Sequence, residues 1–115
     1  MTNLKKLPAV FYATPSSNEP VREWLKKLDA ESRRIVGEDL ATAEFGWPRG
    51  MPLCRDMGKG LYEIRSHITH SRIARVLFAP IAGEMVLLHG FIKKTQKIPQ
   101  PDLDLARKRM KEYLS

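Results

Sequence analysis

The chain has 115 residues, with 20 Lys and Arg against 13 Asp and Glu, a net charge of +7, three His and a single Cys. That length suits one domain around one core, and no apolar run is long enough to span a bilayer. Cys54, being alone, allows no internal disulfide and no cysteine-based metal site. The three histidines, His67, His70 and His89, match no zinc spacing, and neither a metal nor a cofactor is expected.

The charge is uneven. Residues 1–48 hold seven basic and seven acidic groups and cancel. Residues 49–115 hold thirteen basic and six acidic groups and carry the whole excess. A field confined to one region attracts polyanions and speeds their encounter. The plainer alternative is a merely soluble basic surface.

In chain order, residues 7–13 (LPAVFYA) read as a first strand, with Pro8 at its beginning or on an edge. The short apolar run of the N-terminus resembles a strand more than a signal peptide, and a cytoplasmic location is expected. Asn18 is a candidate helix cap, with Glu19 and Pro20 in the first turn. Val21, Trp24, Leu25 and Leu28 then recur at helical spacing. Asp29 is a second candidate cap, opening a helix over residues 30–45 that Gly46 ends. These read as a helical hairpin.

Residues 47–52 (WPRGMP) form a loop, residues 53–57 a short strand, and Gly58-Lys59-Gly60 a turn. Residues 61–68 (LYEIRSHI) alternate, so Tyr62, Ile64 and Ile68 face one way and Glu63, Arg65 and His67 the other. Residues 72–79 (RIARVLFA) are the next strand, and residues 84–92 another. Pro99 and Pro101 precede a last helix over residues 102–114, whose cations Arg107, Lys108, Arg109 and Lys111 suit its C-terminal dipole.

The expected fold is α+β, a single domain over residues 1–115 in the order β-α-α-β-β-β-α. Consecutive strands with short turns predict an antiparallel sheet, with the helical hairpin on one face. The other face is then free to display Glu63 and Arg65.

The most informative stretch is residues 85–99, MVLLHGFIKKTQKIP. A continuous apolar run reads as a buried central strand. It stops abruptly at Lys93, Lys94, Gln96 and Lys97, which delivers lysines to one rim of the sheet. Cations at the end of a rigid strand point to phosphate.

Cutting RNA without a metal takes a base for the ribose 2′-hydroxyl, cations for the scissile phosphate and an acid for the leaving 5′ oxygen. Glu63, Arg65, Arg75, Lys93, Lys94 and His89 are the candidate catalytic set. Lys59, Arg72, Gln96 and Lys97 are candidate RNA-binding residues. Each has an ordinary reading. Glu63 and Arg65 read equally as a solvated charge pair, Arg72 and Arg75 as partners of acidic groups elsewhere, the lysines as a solvated loop. His89, inside an apolar run, also reads as a hydrogen-bonded core histidine.

GLYEIRS at 60–66, RIARVLF at 72–78, LLHGFIKKTQKIP at 87–99 and a helix with LARKR at 105–109 resemble the RelE/ParE toxin superfamily, most of all its phage-derived, HigB-like branch. The resemblance implies a fold similar to small microbial ribonucleases. It implies a toxin of a type II toxin–antitoxin pair that enters the ribosomal A site and cleaves mRNA without metal. A cognate antitoxin with a helix-turn-helix would neutralise it, and the complex would bind operator DNA. By the same resemblance Arg65 matches the strand arginine that contacts the scissile phosphate. Arg75 falls where another basic residue is common, and Lys93 and Lys94 match the basic end of the last strand. Glu63 falls where some members have lysine. Pro99 sits where some relatives carry a catalytic aromatic, and Tyr113 is the remaining aromatic if it folds back. The alternatives are a ParE-like gyrase poison, and a non-catalytic nucleic-acid or protein-binding module of phage origin.

Overall fold

Asp29 opens the long second helix. Its carboxylate accepts the backbone N–H of Ser32 at 3.0 Å, which caps the first turn of the long helix. Hydrogen bonding from Ser32, helped by Arg72, holds that carboxyl down at about 2. The preceding helix begins differently from expectation. Its cap is Glu19, with no side-chain cap bond, and Pro20 supplies the preset first turn. Asn18 instead bonds back through its N–H to Thr14 Oγ1 at 3.1 Å, closing the loop before it.

The computed structural model describes residues 4–48, 53–93 and 98–115, with Lys93 described in its backbone alone. Its elements are β1 (Ala9–Phe11), α1 (Pro20–Lys26), α2 (Ala30–Gly46), β2 (Cys54–Gly58), β3 (Leu61–Ile68), β4 (Arg72–Ile81), β5 (Glu84–Lys93) and α3 (Gln100–Leu114). Together they make one α+β domain. Four strands follow the helical hairpin, matching the strands read one by one at 53–57, 61–68, 72–79 and 84–92 and one more than the order β-α-α-β-β-β-α counts; β2 and β3 are joined through Gly58-Lys59-Gly60. All three residues of that turn have positive φ (88°, 53° and 83°), which is why glycines flank the lysine.

The five-stranded sheet has the order β1-β5-β4-β3-β2. The strands β2 to β5 form the expected antiparallel meander. The sheet as a whole is mixed, however, because β1 runs parallel to β5, with Ala9 opposite Met85 and Phe11 opposite Leu87. The hairpin of α1 and α2 carries the chain from one edge of the sheet to the other. This leaves β1 beside the last strand rather than the next one. Among the described residues, no helix is long and apolar enough to cross a membrane.

Two cores result, one on each face. Under α1 and α2 lie Val21, Val36, Ile64, Val76, Phe78, Met85 and Leu87. There Gly90 of β5 meets the Trp24 ring, and a Cβ at this position would lie 2.4 Å from Trp24 Cε3. Gly90→Ala therefore forces the indole or the strand to move. It is expected to lower stability by about 1–3 kcal/mol in chemical denaturation, as overpacking does.

The opposite face is not free. Helix α3 packs over one half of it, and Tyr12, Leu61, Leu77, Ala79, Val86, Leu88 and Ala106 form the second core. Two α3 cations that the sequence assigns to the helix dipole do something more specific. Arg107 Nη2 donates to Met57 O at 3.0 Å, and Arg109 Nη1 donates to Leu88 O at 2.8 Å. Met57 and Leu88 are the extra residues at the register shifts of β2 and β5. Each arginine thus satisfies a carbonyl that an irregular ladder leaves over. Burial lowers the pKa of Arg109.

Candidate active site

The register of β3, β4 and β5 lays out the half of the second face that holds the polar residues. Glu63, Leu77 and His89 are opposite one another in one row. Arg65, Arg75 and Phe91 form the next row. His67, Ile73 and Lys93 form the third. Neighbouring strands are roughly 5 Å apart, so the width from β3 to β5 is roughly 10 Å.

The bulge at Leu88 decides what this face contains. Leu77 pairs with His89, but Phe78 pairs with Leu87, so Leu88 is an additional residue. Strict alternation from Val86 onward would send His89 and Phe91 to the α1/α2 side. The extra residue reverses the phase and brings His89, Phe91 and the Lys93 position to the same face as Arg65 and Arg75.

Glu63 and Arg75 are both fully buried, and Arg75 Nη1 donates to Glu63 Oε2 at 2.7 Å. The reading of Glu63 as part of a solvated pair with Arg65 is therefore replaced. Its partner is Arg75 on the neighbouring strand, and neither side chain is exposed to water. The second carboxylate oxygen, Glu63 Oε1, is buried with no hydrogen-bond partner among the described residues.

Arg65 is half-buried. Its Nε is covered and without a hydrogen-bond partner among the described residues. The side chain lines a cleft of about 210 Å³ with Leu53, Asp39 and the exposed His67. An arginine whose donors are not used inside the fold is suited to bind an anion from outside.

His89 is neither a core histidine nor a free one. Its side chain is 15% exposed, and Nε2 lies 2.6 Å from Asp102 Oδ1 in the first turn of α3. The imidazole also stacks on Phe91, with centroids 5.3 Å apart and planes 21° apart. Two independent contacts therefore fix its ring.

The structure leaves other candidates elsewhere. Arg72 pairs with Ile68 on the α1/α2 face and is spent on Asp29 and Thr69, at 3.1 Å and 2.9 Å. Lys59 sits in the β2–β3 turn, six residues from Arg65 and so roughly 20 Å along the strand. Tyr113 does not fold back. It is exposed near the C-terminal end of α3, about 16 Å along the helix from Asp102, beside Tyr12 and Glu112. Lys94, Gln96 and Lys97 lie outside the described residues, as does the side chain of Lys93.

Sequence reasoning missed two members of this face. Arg55 of β2 is opposite Glu63 and exposed, adding a cation at the edge. Its place depends on the extra residue Met57: strict counting from the Gly58–Leu61 pair would set Arg55 opposite Ile64, on the other face, and the register shift sets it opposite Glu63 instead. Asp102 reaches His89 only through the docking of α3, and no local spacing announces it. Among the described residues, no three His, Cys, Asp or Glu side chains gather as a metal site.

The family described as Phage derived protein Gp49-like (DUF891) matches residues 23–111, which includes every residue of this face named above. No curated protein matches the chain.

Proposed function

We propose that this chain, which belongs to the phage-derived Gp49-like family, is the toxin of a type II toxin–antitoxin pair and acts as a ribosome-dependent mRNA endonuclease. The observation that carries the reading is Arg65, half open with unused donors, on the same sheet face as the oriented imidazole of His89. The resemblance of residues 60–66 and 87–99 to the RelE/ParE superfamily, and to its HigB-like branch, supports it.

In this reading Arg65 grips the scissile phosphate, and a guanidinium fork gains strength as negative charge builds on the phosphoryl oxygens. The resemblance assigns Lys93 and Lys94 a cationic role beside this phosphate, and Arg55 extends the positive field across the sheet. Glu63 does not act as the base. Its carboxylate holds Arg75, and the buried pair sets the spacing of the row that carries Arg65. His89 moves the proton. Gln96 and Lys97 remain candidate RNA-binding residues from the sequence, whereas Lys59 and Arg72 stand away from Arg65. The partners are translating ribosomes and mRNA in the cytoplasm, and an antitoxin whose acidic segment covers the cationic face. Operator DNA is reached through that antitoxin's helix-turn-helix.

Induction of the wild-type chain in a bacterial host, with pulse-labelled protein and DNA synthesis, tests this. Protein synthesis is expected to fall within minutes while DNA synthesis continues. Falling DNA synthesis with intact translation would replace the reading with a gyrase poison, and no arrest at all would replace it with a non-catalytic binding module.

A further inference from the structure

We propose that Asp102 is a positioning residue that fixes His89 as its Nε2–H tautomer and thereby presents Nδ1 as the proton-transfer atom; this rests on the nuclease reading above. A carboxylate only accepts hydrogen bonds, so in the 2.6 Å contact the hydrogen belongs to His89 Nε2. A neutral imidazole carries one hydrogen, which leaves a lone pair on Nδ1. Stacking on Phe91 restrains tilting of the ring out of that plane, while the contact with Asp102 fixes its direction within it. The bulge at Leu88 places the ring on the face of Arg65, and the first turn of α3 supplies the carboxylate from the other side.

Two imidazoles on this face can exchange a proton with substrate, His89 and the exposed His67 beside Arg65, and of these His89 is the one whose ring a carboxylate orients. Glu63, two strands away across Leu77, is buried and held by Arg75. From α3, Asp102 meets the ring directly, and Arg109 is occupied by the Leu88 carbonyl. The step balances without an added reactant. His89 Nδ1 takes the 2′-hydroxyl proton as O2′ bonds to phosphorus. The P–O5′ bond breaks, and the same proton passes from Nδ1 to the departing 5′ oxygen. The products are a 2′,3′-cyclic phosphate and a 5′-hydroxyl.

The competing role for the contact is a staple that only fastens α3 to β5. A staple affects stability, whereas a positioning carboxylate affects the tautomer and kcat. Asp102→Asn separates them, because an amide both donates and accepts and so no longer selects one tautomer. Two measurements are made on folded wild type, Asp102→Asn and Asp102→Glu: the imidazole nitrogen shifts of His89, and mRNA cleavage on translating ribosomes. The expected result is an Nε2–H signature in wild type that is lost in Asp102→Asn. With it, kcat falls at least about tenfold at unchanged KM, approaching the 10²–10⁴-fold that removal of a general base costs. Asp102→Glu, which restores a carboxylate, recovers part of both. Wild-type cleavage with an equal rate in Asp102→Asn would overturn the positioning role and leave the nuclease reading standing. Absence of cleavage by wild type would overturn the nuclease reading, and this inference with it.

Discussion

Glu63→Ala is expected to cost about 3–5 kcal/mol of stability, the range for removing one partner of a buried ion pair. For a domain of this length that corresponds to a fall of roughly 10–20 °C in Tm. The reason is on both sides of the pair. Arg75 is fully buried, and its guanidinium would keep its charge in a site that water does not reach. The neighbouring cation makes the loss worse. Arg65 is directly opposite Arg75 in the ladder, and the Glu63 carboxylate is what offsets two positive groups in adjacent positions. Glu63→Gln keeps the shape and one acceptor, so it is expected to cost less than Glu63→Ala. Thermal unfolding of the three proteins orders them. A Tm for Glu63→Ala within a degree or two of wild type would mean that the pair is not a frame for this face.

Arg65→Ala has the opposite profile. The side chain is half open and its Nε has no partner among the described residues, so its removal breaks no side-chain hydrogen bond to them. Melting is expected to stay near wild type. The proposed activity, in contrast, loses the donor fork aimed at the developing phosphoryl charge, a loss of about 10²–10³-fold in rate. Growth arrest on induction should disappear. Arg65→Lys retains the charge without the planar fork and is expected to recover only part of the activity. A well-folded Arg65→Ala protein that still arrests growth would remove the residue from the mechanism.

The hairpins β2 to β5 and the hairpin α1–α2 were legible because their signals are local. Alternation in LYEIRSHI put Glu63, Arg65 and His67 on one face, and the ladder agrees. Asp29 was readable as a cap because its oxygen needs only the third residue along. Apart from the α1 cap and the Leu88 bulge, the failures involve parts of the chain far apart in sequence. Nothing local says that β1 will lie parallel to β5, 76 positions away at Ala9 and Met85. The Leu88 bulge hides inside an apolar run, where periodicity is silent about which residue is extra. The docking of α3 was the most consequential omission. It covers half of a face that the sequence reading left open, and it brings Asp102 to His89. Leu103, Ala106 and Met110 recur at helical spacing in the sequence, but that spacing does not say which face of the sheet they cover.

The same contrast applies to the cations. Counting them located the charge excess in the second part of the chain, and most of the face described here comes from that part. Counting could not tell a cation held inside the fold from one left open. Arg72, Arg75, Arg107 and Arg109 are engaged within the protein, while Arg65 and Arg55 face outward to different degrees.

The central claim is most directly tested by mapping the 5′ ends of mRNA on purified translating ribosomes after adding the wild-type protein or Arg65→Ala. The account predicts new ends within the A-site codon with wild type and none with the folded variant. Intact mRNA with wild type, or equal cutting by both proteins, would contradict it.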